Sequence, residues 1–197
     1  MSGNSEGKVE KSQIEGIIEK DKVLIRDSEG INDFYKNSYI GTLEQRDKGE
    51  QVLILDPIEV LLLCERKRIL LWENNDKKKK QHDFESLLSY FTQFDEKLWY
   101  KYIIYSDLRK RGYIVRLGYG DGIDFMVYKR GADFENESAK YLIYTVFEGS
   151  PIELRELDII SRIAMSSRKD LIIATVDRLS KAVYYSIKKF EILNKSS

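Results

Sequence analysis

The sequence predicts an α+β protein with a small N-terminal α+β domain and a C-terminal domain in which helices flank a mixed sheet. Three observations lead to this prediction. Short runs of alternating apolar and polar residues fill 14–56, a long helical pattern covers 83–111, and further strand-like runs with one helix follow from 112. A chain of 197 residues is long enough to bury a core in each domain.

The composition is that of a globular protein without a strong charge bias. Lys plus Arg and Asp plus Glu both number 33, so the formal net charge is zero, and a site for a polyanion must come from local clustering. The single cysteine, Cys64, excludes an internal disulfide and a zinc site made of cysteines. No apolar run approaches the roughly 18 residues that a membrane helix needs, and the first residues lack the apolar core of a signal peptide. We therefore expect a cytoplasmic protein with no membrane contact and a mobile tail over 1–13.

The N-terminal domain is predicted over 14–82. Its runs "GIIEKDKVLIRD", "NSYIGTLEQ" and "EQVLILD" are bounded by Gly, Asp or Asn, which is typical of a small antiparallel sheet. In "DPIEVLLLCERKR", Asp56 can cap a helix and Pro57 suits its first position, and "ILLWE" follows as a strand. Lys77–Lys80 fall in a polar loop, where a lysine run is usually solvated surface. The only histidine, His82, precedes the next helix without an evident partner.

One long helix over 83–111 is predicted to connect the two domains. Apolar residues recur on roughly one of its faces: Phe84, Leu87, Leu88, Phe91, Leu98, Tyr102, Tyr105 and Leu108. Its last turn is basic, as the negative end of a helix dipole favours, and Gly112 can adopt the left-handed conformation that ends a helix.

The C-terminal domain, 112–197, is predicted to contain three strands, a helix and two further strands. "YIVRL" and "IDFMVY" flank "GYGDG", whose glycine spacing does not fit a dinucleotide fingerprint and instead indicates a tight hairpin. "AKYLIYTVF" is the third strand, "SPIELRELDIISRIAMSS" is the helix, and "RKDLIIATVD" and "AVYYSIKKFEI" are the last two strands. This order is that of a mixed α/β sandwich.

Candidate chemistry lies around Tyr128, which ends the second of these strands. The cations expected in one neighbourhood with it are Arg116, Lys129, Arg130, Arg162, Arg168 and Lys169. Tyrosine with Lys and Arg, and with no obvious carboxylate pair, suits a phosphate-bearing substrate, although a solvated basic surface has the same composition.

A metal-dependent nuclease is a competing interpretation. It would use Asp124 as a first carboxylate, and Glu137 with Lys140 as the continuation of the motif. Those two residues are three apart, which places their side chains on opposite faces of a strand. We therefore predict neither a metal ligand set nor a cofactor.

Specific motifs of the C-terminal domain resemble those of the archaeal tRNA-splicing endonuclease (tRNA-intron lyase) family. They are "DLRKRGYIV" at a helix-to-strand junction, "GIDFMVYKRG" in a hairpin, and "SSRKDLIIATVD" at a helix-to-strand turn, in the family's order and spacing. The N-terminal half fits as well, from "KDKVLIRDSEGI" through "DPIEVLLL" to the long helix. The resemblance covers nearly the whole chain.

The resemblance implies a subunit with a small N-terminal domain and a catalytic-type, nuclease-like C-terminal domain. Four such units assemble as homotetramers, dimers of fused units or heterotetramers. The family cuts precursor tRNA at bulge–helix–bulge motifs without a metal, leaving a 2′,3′-cyclic phosphate and a 5′-hydroxyl. A tyrosine acts as general base, a histidine as general acid, and a lysine stabilises the charge on the phosphorane.

Matched to the family's motifs, the base falls on Tyr128, the lysine on Lys169, and an arginine that grips a bulge base on Arg162. Arg130 and Arg168 are further candidates for RNA contact. The position of the histidine falls on Ser138, and serine is too weak an acid near neutral pH. Loss of such a residue marks structural subunits in this family, which assemble with a complete catalytic partner.

The sequence therefore favours a structural or catalytically incomplete subunit that pairs with a paralogous catalytic chain in an α2β2 heterotetramer. An active homo-oligomer with a substitute acid, such as a water held by Ser138 or Glu137, remains an alternative, as does an RNA-binding scaffold without a nuclease partner. The turn "VDRLSKA" offers Asp177 as an acidic contact with another subunit. Val183, Tyr185 and Ile187 alternate on one face of the last strand, which could pair with a partner's strand.

Overall fold

The computed structural model describes residues 13–46, 49–73, 82–120, 122–147 and 149–188. They form two compact units, one that ends at Phe94 and one that begins at Asp95. The expected tail, apart from Gln13, and the lysine run Lys77–Lys80 lie outside the described residues. The expectation of an α+β fold with two domains is confirmed.

A five-stranded mixed sheet forms the base of the first unit, in the order β3-β4-β2-β1-β5. Its strands are β1 (Ile14–Glu19), β2 (Lys22–Ile25), β3 (Thr42–Gln45), β4 (Gln51–Leu55) and β5 (Ile69–Glu73). The antiparallel pairing predicted for the first four strands is confirmed, whereas β5 lies parallel to β1. A short helix α1 (Ser28–Ile31) and a π-helical turn (Asn32–Asn37) join β2 to β3. Alternation in the sequence did not reveal this helical segment.

The predicted start of helix α2 (Pro57–Glu65) is confirmed. Asp56 Oδ1 accepts a hydrogen bond from Ile58 N at 3.2 Å, and Glu59 Oε2 accepts one from Asp56 N at 3.0 Å. Glu59 is buried, and its other oxygen accepts from Gly41 N at 2.8 Å. This carboxylate therefore joins the helix start to the segment before β3, because it satisfies backbone donors of both.

The single connecting helix predicted over 83–111 is wrong. Two helices occupy the segment, α3 (Phe84–Thr92) and α4 (Leu98–Lys110), and they belong to different units. At the break, Asp95 Oδ1 accepts from Lys97 N at 2.9 Å and Asp95 O from Leu98 N at 3.0 Å. An aspartate that bonds its own downstream backbone starts a new helix. The apolar pattern missed the break because Phe91 and Leu98 are seven apart, two full helical turns.

The second unit follows the predicted order of elements. Its strands are β6 (Ile114–Gly120), β7 (Ile123–Tyr128), β8 (Tyr141–Phe147), β9 (Asp170–Val176) and β10 (Ala182–Ile187). They form a sheet in the order β10-β9-β8-β7-β6. Helix α5 (Leu154–Ser166) connects the parallel pair β8 and β9, and the other neighbours are antiparallel. In the β6–β7 hairpin, a Cβ on Gly118 would lie 1.8 Å from Ile123 O, so glycine is required there.

The sheet of the second unit has a helix on each face. On one face, Ile160 and Ala164 of α5 pack against Leu142 and Leu171, and Met126 joins this cluster. On the other, the Tyr105 ring of α4 lies 5.8 Å from the Phe125 ring. We call these the α5 face and the α4 face. Because side chains alternate along a strand, neighbouring residues such as Phe125 and Met126 point to different faces.

Candidate active site at one edge of the second sheet

The ends of three adjacent strands, β7, β8 and β9, lie side by side in the second sheet, and in this section we call this row of strand ends the edge. Lys140 N, just before β8, donates to Val127 O at 2.9 Å, and Lys140 O accepts from Asp170 N at 3.0 Å. The end of β7, the start of β8 and the start of β9 are thereby tied together. Tyr128 and Lys169 each stand next to one of these bonded residues in the chain. The predicted base and the predicted lysine therefore belong to the same edge.

Both residues also belong to the α5 face by alternation. Tyr128 follows Met126 by two positions, and Lys169 precedes Leu171 by two. Met126 and Leu171 both belong to the apolar cluster under α5. A backbone bond from Lys169 N to Ala164 O at 2.9 Å brings the lysine back against the end of that helix. The lysine follows the helix rather than lying on it, since α5 ends at Ser166.

Tyr128 is covered. Only 8% of its surface is exposed, and the Phe134 ring packs against it edge-on, with 6.3 Å between ring centroids. The guanidinium of Arg116 lies 5.0 Å from the centroid of the same Phe134 ring. Phe134 comes from the β7–β8 loop, so this loop contributes to the cover over Tyr128. The sequence analysis did not single out Phe134.

The β7–β8 loop is closed by its own hydrogen bonds. Asp133 accepts from Asn136 Nδ2 at 2.7 Å and from Glu135 N at 3.1 Å, and these two hydrogen bonds lower the pKa of its carboxyl. Glu137 Oε1 accepts from Asp133 N at 2.9 Å. Glu137 is thus a structural acceptor within the loop. Ser138, at the position expected for the general acid, is exposed.

Next to this edge, an open depression of about 700 Å³ lies on the α5 face. Arg162 and Lys169 both line it, with Asp158, Met165 and Asp170, so the structure brings together two of the residues singled out for RNA contact and catalysis. Arg162 Nε donates to Asp158 Oδ2 at 2.9 Å, but both side chains are largely exposed. Such an ion pair is weak, about 0.3–0.5 kcal/mol, and gives way readily to a phosphate. Tyr128 is not among the lining residues.

Asp124, the first ligand of the metal alternative, is already engaged. Its Oδ2 accepts from Thr145 N at 2.7 Å, and its Oδ1 pairs with Lys101 Nζ at 3.2 Å. Burial opposes the charge of Lys101, but Asp124 and Asp95 outweigh it, so the pKa of this ammonium lies above its usual value. Within the described ranges, no three His, Cys, Asp or Glu side chains cluster as metal ligands. Asp124 joins β7, β8 and α4.

The cations of the second unit do not form the single neighbourhood that the sequence suggested. Arg130 lines a pocket with Leu108, Val127 and Ile172, whereas Leu171 lines the depression with Arg162 and Lys169. Leu171 and Ile172 are consecutive in β9, so the two cavities lie on opposite faces of the sheet. Arg168 is exposed with a φ of 55°, at the left-handed position after α5.

The residues predicted for subunit contact lie in and before β10. Asp177 Oδ1 accepts from Leu179 N at 2.8 Å and from Lys181 N at 2.9 Å, so this oxygen closes the β9–β10 turn. Among the described strands, β10 pairs only with β9, and its outer edge carries no strand. Tyr185 is 55% exposed, and Val183 and Ile187 are half-buried. Contact with another subunit through these residues stays a prediction.

Comparison with known proteins agrees with the two units. A family model described as "tRNA intron endonuclease, catalytic C-terminal domain" matches residues 98–185, and "tRNA intron endonuclease, N-terminal domain" matches 14–88. The chain belongs to the tRNA intron endonuclease family. The tRNA-splicing endonucleases of Methanococcus vannielii and Methanococcus maripaludis are 35% and 36% identical to it, over 90% of this chain and 94% of each relative. That of Thermococcus onnurineus is 32% identical over 90% of this chain and 97% of its own length.

The match to the catalytic domain of the tRNA intron endonuclease family lies entirely within the second unit. The match to the catalytic domain contains β7, the β7–β8 loop, α5 and β9, the elements that carry Tyr128, Ser138, Arg162 and Lys169. It begins at the first residue of α4, Leu98, four residues after Phe94, where the first unit ends. Among the described residues, none of the helices has the length and hydropathy of a membrane span.

Proposed function

We propose that this chain is a subunit of a tRNA-splicing endonuclease that removes introns from precursor tRNA at bulge–helix–bulge motifs. Cleavage would be metal-independent and leave 2′,3′-cyclic phosphate and 5′-hydroxyl ends. The observation that carries the proposal is the row of strand ends of β7, β8 and β9 that brings Tyr128 and Lys169 to the same side of the sheet, in a chain of this family. Ser138 lies in the loop that joins β7 to β8.

The reaction requires two proton transfers and one fixed charge. Tyr128 would accept the proton of the ribose 2′-hydroxyl as its oxygen attacks phosphorus. The bond from phosphorus to the 5′-oxygen then breaks, and that oxygen needs a proton as it leaves. Lys169 would balance the negative charge that builds up on the phosphorane, and Arg162 would hold the RNA beside the depression.

Ser138 makes the site incomplete. A serine hydroxyl cannot protonate the leaving oxygen at neutral pH, and Glu137, the nearest carboxylate in sequence, is used within the loop. We therefore propose a structural or catalytically incomplete subunit. It would pair with a paralogous catalytic chain, as an α2β2 heterotetramer, and bind the precursor tRNA jointly with it.

The test is complementation. The purified chain alone is expected to leave an intron-containing precursor tRNA uncut, and mixing with a related chain that carries Tyr, His and Lys is expected to produce both cuts faster than that partner does alone. A stoichiometric complex on size exclusion should accompany the activity. If the partner cuts at the same rate without this chain, the subunit role is wrong.

An active homo-oligomer with a substitute acid is the second candidate. The observation in its favour is that Tyr128, Lys169 and Arg162 are all present, although a structural subunit needs none of them for chemistry. Under this alternative, the purified chain cuts the precursor on its own, and Tyr128→Phe or Lys169→Ala abolishes the cleavage. If both variants act like the unchanged chain, a contaminating nuclease is the source of the activity.

A further inference from the structure

The α4 face carries a pocket of about 230 Å³ that the cleavage chemistry does not use. Its floor is apolar, with Leu108 of α4 and the side chains of Val127, Ile143 and Ile172 from the sheet. Three tyrosines, Tyr113, Tyr141 and Tyr184, form its walls together with Arg111 and Arg130. All of these residues belong to the second unit.

Each tyrosine of this pocket holds a cation over its ring. Arg130 lies 5.2 Å from the Tyr113 centroid, Arg111 lies 5.7 Å from Tyr184, and Lys140 Nζ lies 4.9 Å from Tyr141. A guanidinium that rests on an aromatic ring keeps its outer surface and its N–H edge available. The walls thus offer flat stacking surfaces beside donors for an anion.

The two arginines differ in how they are engaged. Arg111 Nε donates to Asp107 Oδ2 at 2.7 Å, and the Tyr184 hydroxyl donates to the same oxygen at 2.7 Å. This pair fixes one wall of the pocket. Arg130 is exposed, and among the described residues no carboxylate forms an ion pair with it. Its N–H groups are the ones positioned to take an external anion.

We propose that this pocket binds one nucleotide of a single-stranded RNA segment, with the base among the tyrosines and the phosphate on Arg130. Aromatic rings and guanidinium planes together are the surfaces on which unpaired bases stack. A phosphate ion alone would leave the three rings and the apolar floor unused. An acidic peptide would use the arginines but has no flat ring to stack between the tyrosines. The choice of RNA as ligand rests on the proposed function, and the site itself lies on the opposite face from Lys169.

The test is a photocrosslink with the full-length chain. The probe is an octauridylate that carries one 4-thiouridine, and mass spectrometry locates the adducts. We expect adducts on Tyr113, Tyr141 or Tyr184. Arg130→Glu should weaken binding of the probe at least 10-fold, while the matched control Arg155→Glu, on exposed α5 surface, should leave it unchanged. Tyr141→Ala should weaken it about 5- to 100-fold and Tyr141→Phe much less, because the phenylalanine ring can still stack.

Three results would overturn the proposal. Adducts confined to residues that line the depression on the α5 face, such as Arg162, Met165 and Lys169, would mean that only the cleavage face holds RNA. Equal losses in Arg130→Glu and Arg155→Glu would indicate a general charge effect. An octaglutamate peptide that binds in an Arg130-dependent way, where the octauridylate does not, would assign the pocket to a protein. Complementation of cleavage by a partner is scored separately, so failure of the proposed function and failure of this pocket are distinguishable.

Discussion

Tyr128 lies at the end of β7 with 8% of its surface exposed, and the ring of Phe134 packs edge-on against it. A general base must reach the hydroxyl from which it takes a proton, within about 3 Å. In this chain, the loop that would carry the acid instead supplies an aromatic cover. Ser138, where we propose that the histidine is missing, and the cover by Phe134 both lie between β7 and β8.

We predict that Phe134→Ala uncovers Tyr128. Removal of the ring deletes the packing against the phenol, so nitration of Tyr128 by tetranitromethane should rise several-fold, as measured by peptide mass spectrometry. Exposed Tyr185 provides the internal reference, since its nitration should not change. Phe134→Leu, which keeps most of the bulk, is the matched control and should give a smaller rise. Unchanged nitration in Phe134→Ala would show that the loop does not limit access.

Sequence reasoning could propose Tyr128, Lys169 and Ser138 as site residues because the motifs around them are continuous in the sequence. It could not separate Arg130 from Arg162, because which face of the sheet a side chain takes depends on register and on the position of α5. Phe134 had no signal, since a phenylalanine in a polar loop has no periodicity that marks what it covers. The role of Asp124 was also hidden, because its partners Lys101 and Thr145 are distant in sequence.

At the scale of the elements, the carboxylate of Asp124 holds helix α4 to strands β7 and β8. Asp124 accepts from the backbone of β8 and pairs with Lys101 of α4, whose second partner is Asp95 at 3.0 Å. Asp95 also starts α4, by accepting from Lys97 N. The residues that break the predicted long helix therefore also anchor its second half to the sheet.

We predict that Asp124→Asn lowers the free energy of unfolding by about 2 kcal/mol. The substitution leaves the half-buried ammonium of Lys101 with Asp95 but without the second carboxylate. Urea unfolding of the second-unit signal would measure this. Asp158→Asn, which breaks the exposed pair with Arg162, should cost under about 0.5 kcal/mol.

The same aspartate separates the metal alternative from the proposed chemistry. With a histidine-bearing partner present, we expect cleavage to persist in excess EDTA, because the proposed chemistry of a tyrosine base, a histidine acid and a lysine requires no metal. Loss of cleavage in EDTA that returns with Mg²⁺, together with an inactive Asp124→Asn complex that is still folded, would support the metal-dependent nuclease instead.

At the scale of the whole molecule, the outermost strand β10 is where the second sheet could be extended by a strand of another subunit. Among the described strands, β10 has a neighbour on one side only. An unpaired edge with an exposed tyrosine is a natural place for another subunit. The fold class and the order of elements in the second unit were predictable from alternation and turn residues, whereas the direction of β5 was not, since apolar runs do not encode strand direction.

We predict that Tyr185→Lys reduces self-association or association with a partner chain, because a charge on an edge strand opposes strand pairing. Sedimentation velocity would show a shift to smaller species. Tyr119→Lys on β6 is the matched control, as Tyr119 is 56% exposed at the opposite edge of the sheet. An equal effect of both variants, or of neither, would remove β10 as the contact.

We propose above all that this chain carries the general base and the lysine of a tRNA-intron endonuclease, Tyr128 and Lys169, but lacks the general acid. The most direct measurement is cleavage of an intron-containing precursor tRNA by the purified chain, by Ser138→His and by the control Ser138→Ala. We predict no specific cleavage by the unchanged chain or by Ser138→Ala, and a gain of at least about 100-fold over that background in Ser138→His, with 2′,3′-cyclic phosphate ends. Efficient cleavage by the unchanged chain, equal to that of Ser138→His, would contradict the account.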